Sequence, residues 1–299
     1  MPTAATRRIQ TAYEEARYDA AAQSVSEQIR SATFRYMVED LGLPKGQAQI
    51  RADKEIAGTI GLSVCEELAD MGISVAGMRV LDLGAGLGGL CAVLAAHGAF
   101  AVGVEPGAGW YKVAAERLRT FPGSSIVAGV GEAIPLASET VDLIVSLQVL
   151  EHVQNPLEVI KESFRVLKPG GYFYLAYENY FSFFEPHYRV PWLPLLPKSL
   201  GAAYLRMRGR NPQFLRESVT YTTFHGVRKM LAEVGFECMR RQKSADALKS
   251  GALTSLKWRL LKRLSGVSEQ GTLNLITGFD HGKRLMQTAI YECLRKPAA

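Results

Sequence analysis

Between Arg79 and Glu178 the chain alternates short β-rich runs with stretches of helical spacing. RVLDLG, AVGVEP, SSIVAG, VDLIVSLQ and GYFYLAYE read as strands. GGLCAVLAAHG, GWYKVAAERLRTF and PLEVIKESFRVLKPGG carry apolar residues on one helical face. This alternation predicts a doubly wound α/β fold, a parallel sheet with helices on both faces. Ligands of such a sheet bind at the carboxyl ends of its strands.

Around this core the sequence divides by pattern. Residues from Tyr13 to Asp40 look helical, LGLPKG from Leu41 to Gly46 breaks the pattern, and a second helix is expected from about Asp53 to Met71. Residues 1–72 are therefore expected to be an N-terminal helical cap, and 73–176 the core. After GYFYLAYE comes a long irregular stretch, 177–221, expected to be a lid. Residues 222–299 complete the core through the helix and strand of FHGVRKMLAEVGFECMRRQ and the last strand, LMQTAIYECLR. A helical insertion is expected at 246–284. Within it LTSLKWRLLKRLSG reads as an amphipathic helix that packs over the sheet or makes a peripheral membrane contact through 252–265.

No apolar run in the 299 residues reaches the ~18 needed for a membrane span, and the N-terminus has no apolar signal core. The four cysteines are scattered, which fits reduced thiols and a cytoplasmic location. No metal-ligand spacing is visible, and no metal is expected. The net charge is +6, and no acid lies between Glu185 and Glu217, where six basic residues do. That run is either a solvated surface or one that faces an anionic acceptor.

VLDLGAGLGG, from Val80 to Gly89, joins a strand to a helix, with Gly84, Gly86 and Gly89 in G-x-G-x-x-G spacing. Glu105 ends the next strand, where a carboxylate can grip two ribose hydroxyls. Both features suit NAD as well as S-adenosylmethionine. Asp82 separates them, because a carboxylate there repels a pyrophosphate and favours ammonium and sulfonium charge.

These motifs resemble those of class I S-adenosylmethionine-dependent methyltransferases. VLDLGAGLGG is similar to that family's first motif and VGVEPG to its acidic second. GEAIPLASETVDLIVSLQVLEHVQNP and LKPGG are similar to the segments that frame its fourth and fifth strands. The resemblance implies a seven-stranded sheet in the order 3-2-1-4-5-7-6 with strand 7 antiparallel. It implies S-adenosyl-L-methionine as cofactor. Gly84, Ala85 and Gly86 would pass under its methionine part, Asp82 would face its cationic groups, and Glu105 would hold the ribose. Pro106, Gly131 and Glu132 would border the adenine, with Gln148 near the methionine. Val130 stands where many members have an aspartate. Glu151 and His152 belong to the family's LEH signature, in which a structural histidine is expected.

YENYFSFFEPHYRVPWLPLLP follows the fifth strand on the cofactor edge. It resembles a segment of methyltransferases from bacterial polysaccharide and secondary-metabolite gene sets. Asn179, Tyr180, Phe184, Tyr188 and Trp192 are candidates for the acceptor wall. His187 is the candidate base and Glu185 the group that orients it, because an unperturbed histidine titrates near ~6.5. The leading expectation is O-methylation of a glycan, glycolipid or small metabolite. A nucleic-acid methyltransferase is less favoured, since SLQVLEH replaces the Asn/Asp-Pro-Pro-aromatic turn of base-methylating enzymes. A non-enzymatic cofactor-binding scaffold is the third reading.

Overall fold

The computed structural model describes residues 20–239 and 287–298. Seven strands form one sheet: β1 (Arg79–Leu83), β2 (Phe100–Glu105), β3 (Ser124–Ala128), β4 (Val141–Leu147), β5 (Leu167–Glu178), β8 (Glu237–Cys238) and β9 (Ala289–Arg295). Their order is β3-β2-β1-β4-β5-β9-β8. In sequence terms this is the expected 3-2-1-4-5-7-6, because a hairpin of β6 (Phe184–Glu185) and β7 (Val190–Pro191) lies outside the sheet. The five central strands run parallel, and β9 is antiparallel to both neighbours. That reversal lets β9 enter beside β5 with Leu294 opposite Phe173.

The central strands are buried on both faces, as parallel strands under helices must be. One core places Val80, Leu143, Val145 and Tyr174 against α4 (Gly89–Ala96) and α3 (Thr59–Asp70). The opposite core places Leu81, Ile144, Phe173 and Leu175 against α6 (Pro156–Val166) and α9 (Phe224–Val234). Asn155 caps α6 and Thr223 caps α9 through their side chains, so each helix starts at a defined residue. The remaining core helix is α5 (Ala108–Leu118).

Before the sheet the structure differs from the sequence reading. Helix α1 (Ala20–Phe34) passes into a π-helical turn at Arg35–Asp40. The expected helix from Asp53 to Met71 is two helices, α2 (Lys45–Ile56) and α3. Pro44 precedes α2, and Gly58, at φ +65°, breaks the chain between the two. An L side chain disfavours that backbone, so the glycine decides the break. The stretch 177–221, read as irregular, contains the β6–β7 hairpin, α7 (Lys198–Met207) and α8 (Gln213–Glu217).

The N-terminal helices and the lid share one core. Met37, Leu41 and Leu43 pack with Tyr180, Tyr188, Trp192, Leu205 and Leu215. At Gly201 an added Cβ would stand 2.6 Å from the Trp192 ring, which is why α7 carries glycine there. The cap is tied to the sheet by Arg117, which donates to the carbonyls of Leu87 and Glu55 and pairs with the Glu55 carboxylate at 3.2 Å. No helix among the described residues is long and apolar enough to cross a membrane. The expected helical insertion at 246–284, with its amphipathic segment, lies outside the described residues.

Candidate active site

Beyond β1 the chain turns through Gly84, Gly86 and Gly88, at φ +78°, +54° and +74°. The amides of Gly84 and Ala85 bond the Val104 carbonyl at 2.9 and 3.1 Å, pinning the loop to β2. A Cβ on Gly84 would lie 2.4 Å from Val149 Cγ2, whereas one on Gly86 meets nothing nearer than the Trp110 ring at 3.9 Å. Packing therefore demands the first glycine, while the second borders open space. Glu105, 8% exposed, closes β2. Its two oxygens accept the amides of Gly86 at 2.9 Å and Gly107 at 2.7 Å. A carboxylate offers about four lone-pair positions, so ligand hydroxyls can still be accepted. Asp82 is buried at the tip of β1 and accepts from Cys91 Sγ at 3.4 Å. Burial, with the charges of Glu55 and Glu105 adding to it, pushes its pKa up to about 7.

A second polar group lies where β4 and β5 end. Gln148, at φ +57°, turns the chain out of β4 and donates its side-chain amide to Glu178. The turn Leu150–His152 then presents Glu151 and His152, and the loop after β5 presents Glu185 and His187. His187 Nδ1 lies 2.9 Å from Glu185, and its Nε2 lies 3.2 Å from His152 Nε2. His152 Nδ1 lies 2.8 Å from the Ser218 carbonyl. Glu185 also accepts the Tyr188 amide at 2.6 Å and the Tyr180 hydroxyl at 3.3 Å. A carbonyl only accepts, so His152 carries its proton on Nδ1; the Glu185 carboxylate assigns the same tautomer to His187.

The surrounding charge is unbalanced. Glu151, Glu178 and Glu185 are at most 1% exposed. Burial pushes Glu151 up to about 8 and Glu178 up to about 7. Neither Glu151 oxygen nor Glu178 Oε2 has a partner in good hydrogen-bond geometry. The amides of Glu151 and Glu178 soften the effect of burial on the Glu151 carboxyl without offsetting it. Burial opposes charge on His187, but the bond to Glu185 and the charges of the three glutamates outweigh it and raise its pKa. Part of the His152 ring meets solvent, yet crowding and then the His187 charge push its pKa down to about 4.

Rings connect the two groups. Phe214 packs on His152 and His187 with centroids 5.4 and 5.3 Å away. Tyr36 stands edge-on to Phe214 at 5.5 Å and to Trp110 at 5.8 Å. The file of rings thus leads from the Gly86 edge to the histidines. Tyr36, Trp110, Phe214 and Glu178 escaped the sequence reading. Only Glu178, a carboxylate at a strand end, carried a local signal; the three rings come from separate elements that tertiary packing brings together.

Several sequence candidates serve the cap itself. Asn179 donates to the Gln287 carbonyl at 2.9 Å and accepts the amides of Phe181 and Phe224. Tyr188 is fully buried, with its hydroxyl accepting the Leu215 amide, and Trp192 is 4% exposed in the cap core. The contacts observed for these three hold the lid to its neighbours. Tyr180 is buried too, stacked on Tyr221 at 4.5 Å with its hydroxyl in the histidine cluster. Phe184 stays 42% exposed. Glu132 accepts the Gln154 amide at 3.0 Å, joining the Gly131 loop to the start of α6. Pro106 and Val130 are exposed on that side. Two members of the acid-free basic run bind the cap, Arg189 reaching Gln47 and Arg210 the Gly42 carbonyl, and Lys198 reaches the Arg216 carbonyl within the lid.

A family model described as a methyltransferase domain matches residues 81–175, which run from β1 through the glycine loop into β5. Residues 81–175 thus carry a methyltransferase domain. A methyltransferase of Mycobacterium ulcerans without an assigned reaction is 39% identical over 120 residues, 40% of this chain and 47% of the relative. One from Mycobacteroides abscessus is 32% identical over 143 residues, covering 46% and 55%. The chain spans about half the length of the curated relatives it matches. Among solved structures, the 4+2 cyclase SpnF shares the fold with TM-score 0.50 at 16% identity, over 82% of this chain and 83% of its own. A Haemonchus contortus phosphoethanolamine N-methyltransferase, solved with S-adenosylhomocysteine, has TM-score 0.50 at 16% identity, over 80% and 53%. At such identities the likeness concerns the fold.

S-adenosylmethionine is the cofactor of this methyltransferase domain. The residues present fit it: open space over Gly86, an acid at the end of β2 with spare acceptor positions, and a buried carboxyl at Asp82 that a cation would stabilise. The elevated Asp82 pKa has a thermodynamic consequence. The folded chain holds this proton more tightly than the unfolded one, whose aspartate titrates near 3.8. Stability contributed by the neutral form is therefore lost as pH rises through that window towards 7. Asp82→Asn removes the titration. Relative to the parent, its ligand-free stability in urea melts should rise by about 2 kcal/mol between pH 5 and pH 8. Cofactor affinity should fall in the same variant. A stability difference that does not change with pH would contradict the assignment.

Proposed function

We propose that the chain transfers a methyl group from S-adenosylmethionine to a hydroxyl of a glycan, glycolipid or small metabolite. The observation that supports this most is the Glu185–His187–His152 cluster at the carboxyl edge of β4 and β5, joined to the glycine loop by Val149 and by the ring file. When bound, the cofactor supplies an electrophilic methyl on sulfur, which departs as a neutral thioether. Everything else falls to the chain. Glu105 and the glycine loop fix the donor, and Asp82 offers a negative partner to its cationic end. Trp110, Tyr36 and Phe214 exclude water from the line of approach. Holding the reacting atoms aligned is worth up to ~7–11 kcal/mol.

A hydroxyl acceptor must lose its proton as the new carbon–oxygen bond forms, and the histidine cluster is the group placed to handle that proton. Both nitrogens of His187 are engaged, one by Glu185 and one by His152. The acceptor therefore meets His187 only through opening of the His187–His152 contact or through whatever lies between the rings. The test is incubation of the chain with methyl-labelled S-adenosylmethionine and a bacterial extract. Label is expected in a nuclease-resistant small-molecule, glycan or lipid fraction. Label lost to nuclease, or no cofactor consumption, would overturn the reading.

A further inference from the structure

We infer that Glu151, His152 and His187 form a binding site for one divalent transition-metal cation of the zinc type. This departs from the expectation drawn from sequence spacing, since two ligands are adjacent in the chain and the third comes from the lid. It deepens the proposed function in place only, because the site is defined by geometry that involves neither cofactor nor acceptor.

Three observations point the same way. One ligand atom from each residue lies within 4.8 Å of the others, and the two Nε2 atoms are 3.2 Å apart. Two nitrogens at about 2.0–2.1 Å from one tetrahedral zinc ion stand at about this separation. The rings cross at 70°, which keeps them from stacking while their nitrogens converge. Next, both Nδ1 atoms are already assigned. His152 Nδ1–H donates to the Ser218 carbonyl and His187 Nδ1–H to the Glu185 carboxylate. A carbonyl or carboxylate behind each imidazole is the usual support of a metal-bound histidine. It also leaves two lone pairs facing each other, a repulsive contact unless a proton or a cation joins them. Third, Glu151 is fully buried and neither of its oxygens has a hydrogen-bond partner in good geometry.

Other groups face the same space. Glu178 and Glu185 add two further buried carboxyls, Tyr180 and Tyr36 contribute neutral hydroxyls, and Phe214 covers the rings. A divalent cation there gives the Glu151 oxygens a partner. Nitrogen and oxygen donors in this mixture suit zinc better than magnesium or calcium, which take oxygen alone. Positions left over around the ion suit an acceptor with a hydroxyl or neighbouring pair of hydroxyls.

The test is a zinc titration of the full chain against a chelating indicator, under reducing conditions and without cofactor. It is run in a Cys238→Ser background to remove the exposed thiol. One zinc per chain is expected. His152→Ala, His187→Ala and Glu151→Gln should each lower its affinity by about a hundredfold or more, and His225→Ala should leave it unchanged. Each variant is checked by thermal melting. If His187→Ala unfolds the lid, His152→Ala, whose ring is part-exposed, carries the result. Zinc binding that survives the His152 and Glu151 substitutions, or no bound zinc in the parent, overturns the site. A chain that binds zinc but transfers no methyl group leaves the site standing and removes the proposed function instead. Methyl transfer without zinc binding does the reverse.

Discussion

His187→Ala is expected to lower methyl transfer by ~10²–10⁴-fold while leaving cofactor affinity within a few-fold. The size follows from what the ring holds together. His187 joins the buried Glu185 to the surface-facing His152, and its loss removes both contacts at once. The binding side should be spared, because Glu105, Asp82 and the glycine loop belong to β1, β2 and the turn after β1. Turnover is read as release of demethylated cofactor with the labelled fraction identified above, and binding by calorimetry. His152→Ala provides the second measurement: its ring is exposed enough that the fold should survive, so a matching loss of turnover would assign the effect to the cluster. Unchanged turnover in both variants would remove the cluster from the reaction.

Glu105→Ala should weaken S-adenosylmethionine binding by about ten- to a hundredfold, the effect of losing charge-assisted hydrogen bonds worth ~1.5–3 kcal/mol. The structure adds a second cause to the proposed contact with the ribose. Each carboxylate oxygen also accepts an amide, from Gly86 and from Gly107, so the side chain shapes the loop that the cofactor rests on. Glu105→Gln keeps one acceptor oxygen but presents a donor to the other amide. It should fall between the parent and the alanine variant. Calorimetry on the folded variants decides the matter, and an affinity within twofold of the parent for Glu105→Ala would refute the role.

The contrast between these two sites follows the distance in sequence over which each is assembled. The glycine loop and Glu105 lie within one strand–loop–helix–strand unit. Their spacing is set by local geometry, so residue order alone shows them. The same holds for the alternating runs of the sheet, whose apolar periods report directly which face is buried. The antiparallel last strand was expected only through the family resemblance, and the observed pairing of β9 with β5 and β8 agrees.

The histidine cluster is of another kind. His187 and Glu185 stand out by composition, and His152 by its motif. Their meeting depends on Gln148 turning at φ +57° and on the lid folding back over the end of β4. Aromatic content marked Tyr188 and Trp192 as candidates without showing what they pack on; both lie in a core shared with Met37 and Leu41 from the N-terminal helices. Residue order shows the alternating strands, the glycine loop and the acid proposed to hold the cofactor, because those are built from neighbours in the chain. Which side chains meet across the lid is set by the packing of separate elements, since contacts between residues 36, 152, 187 and 214 leave no period in the sequence.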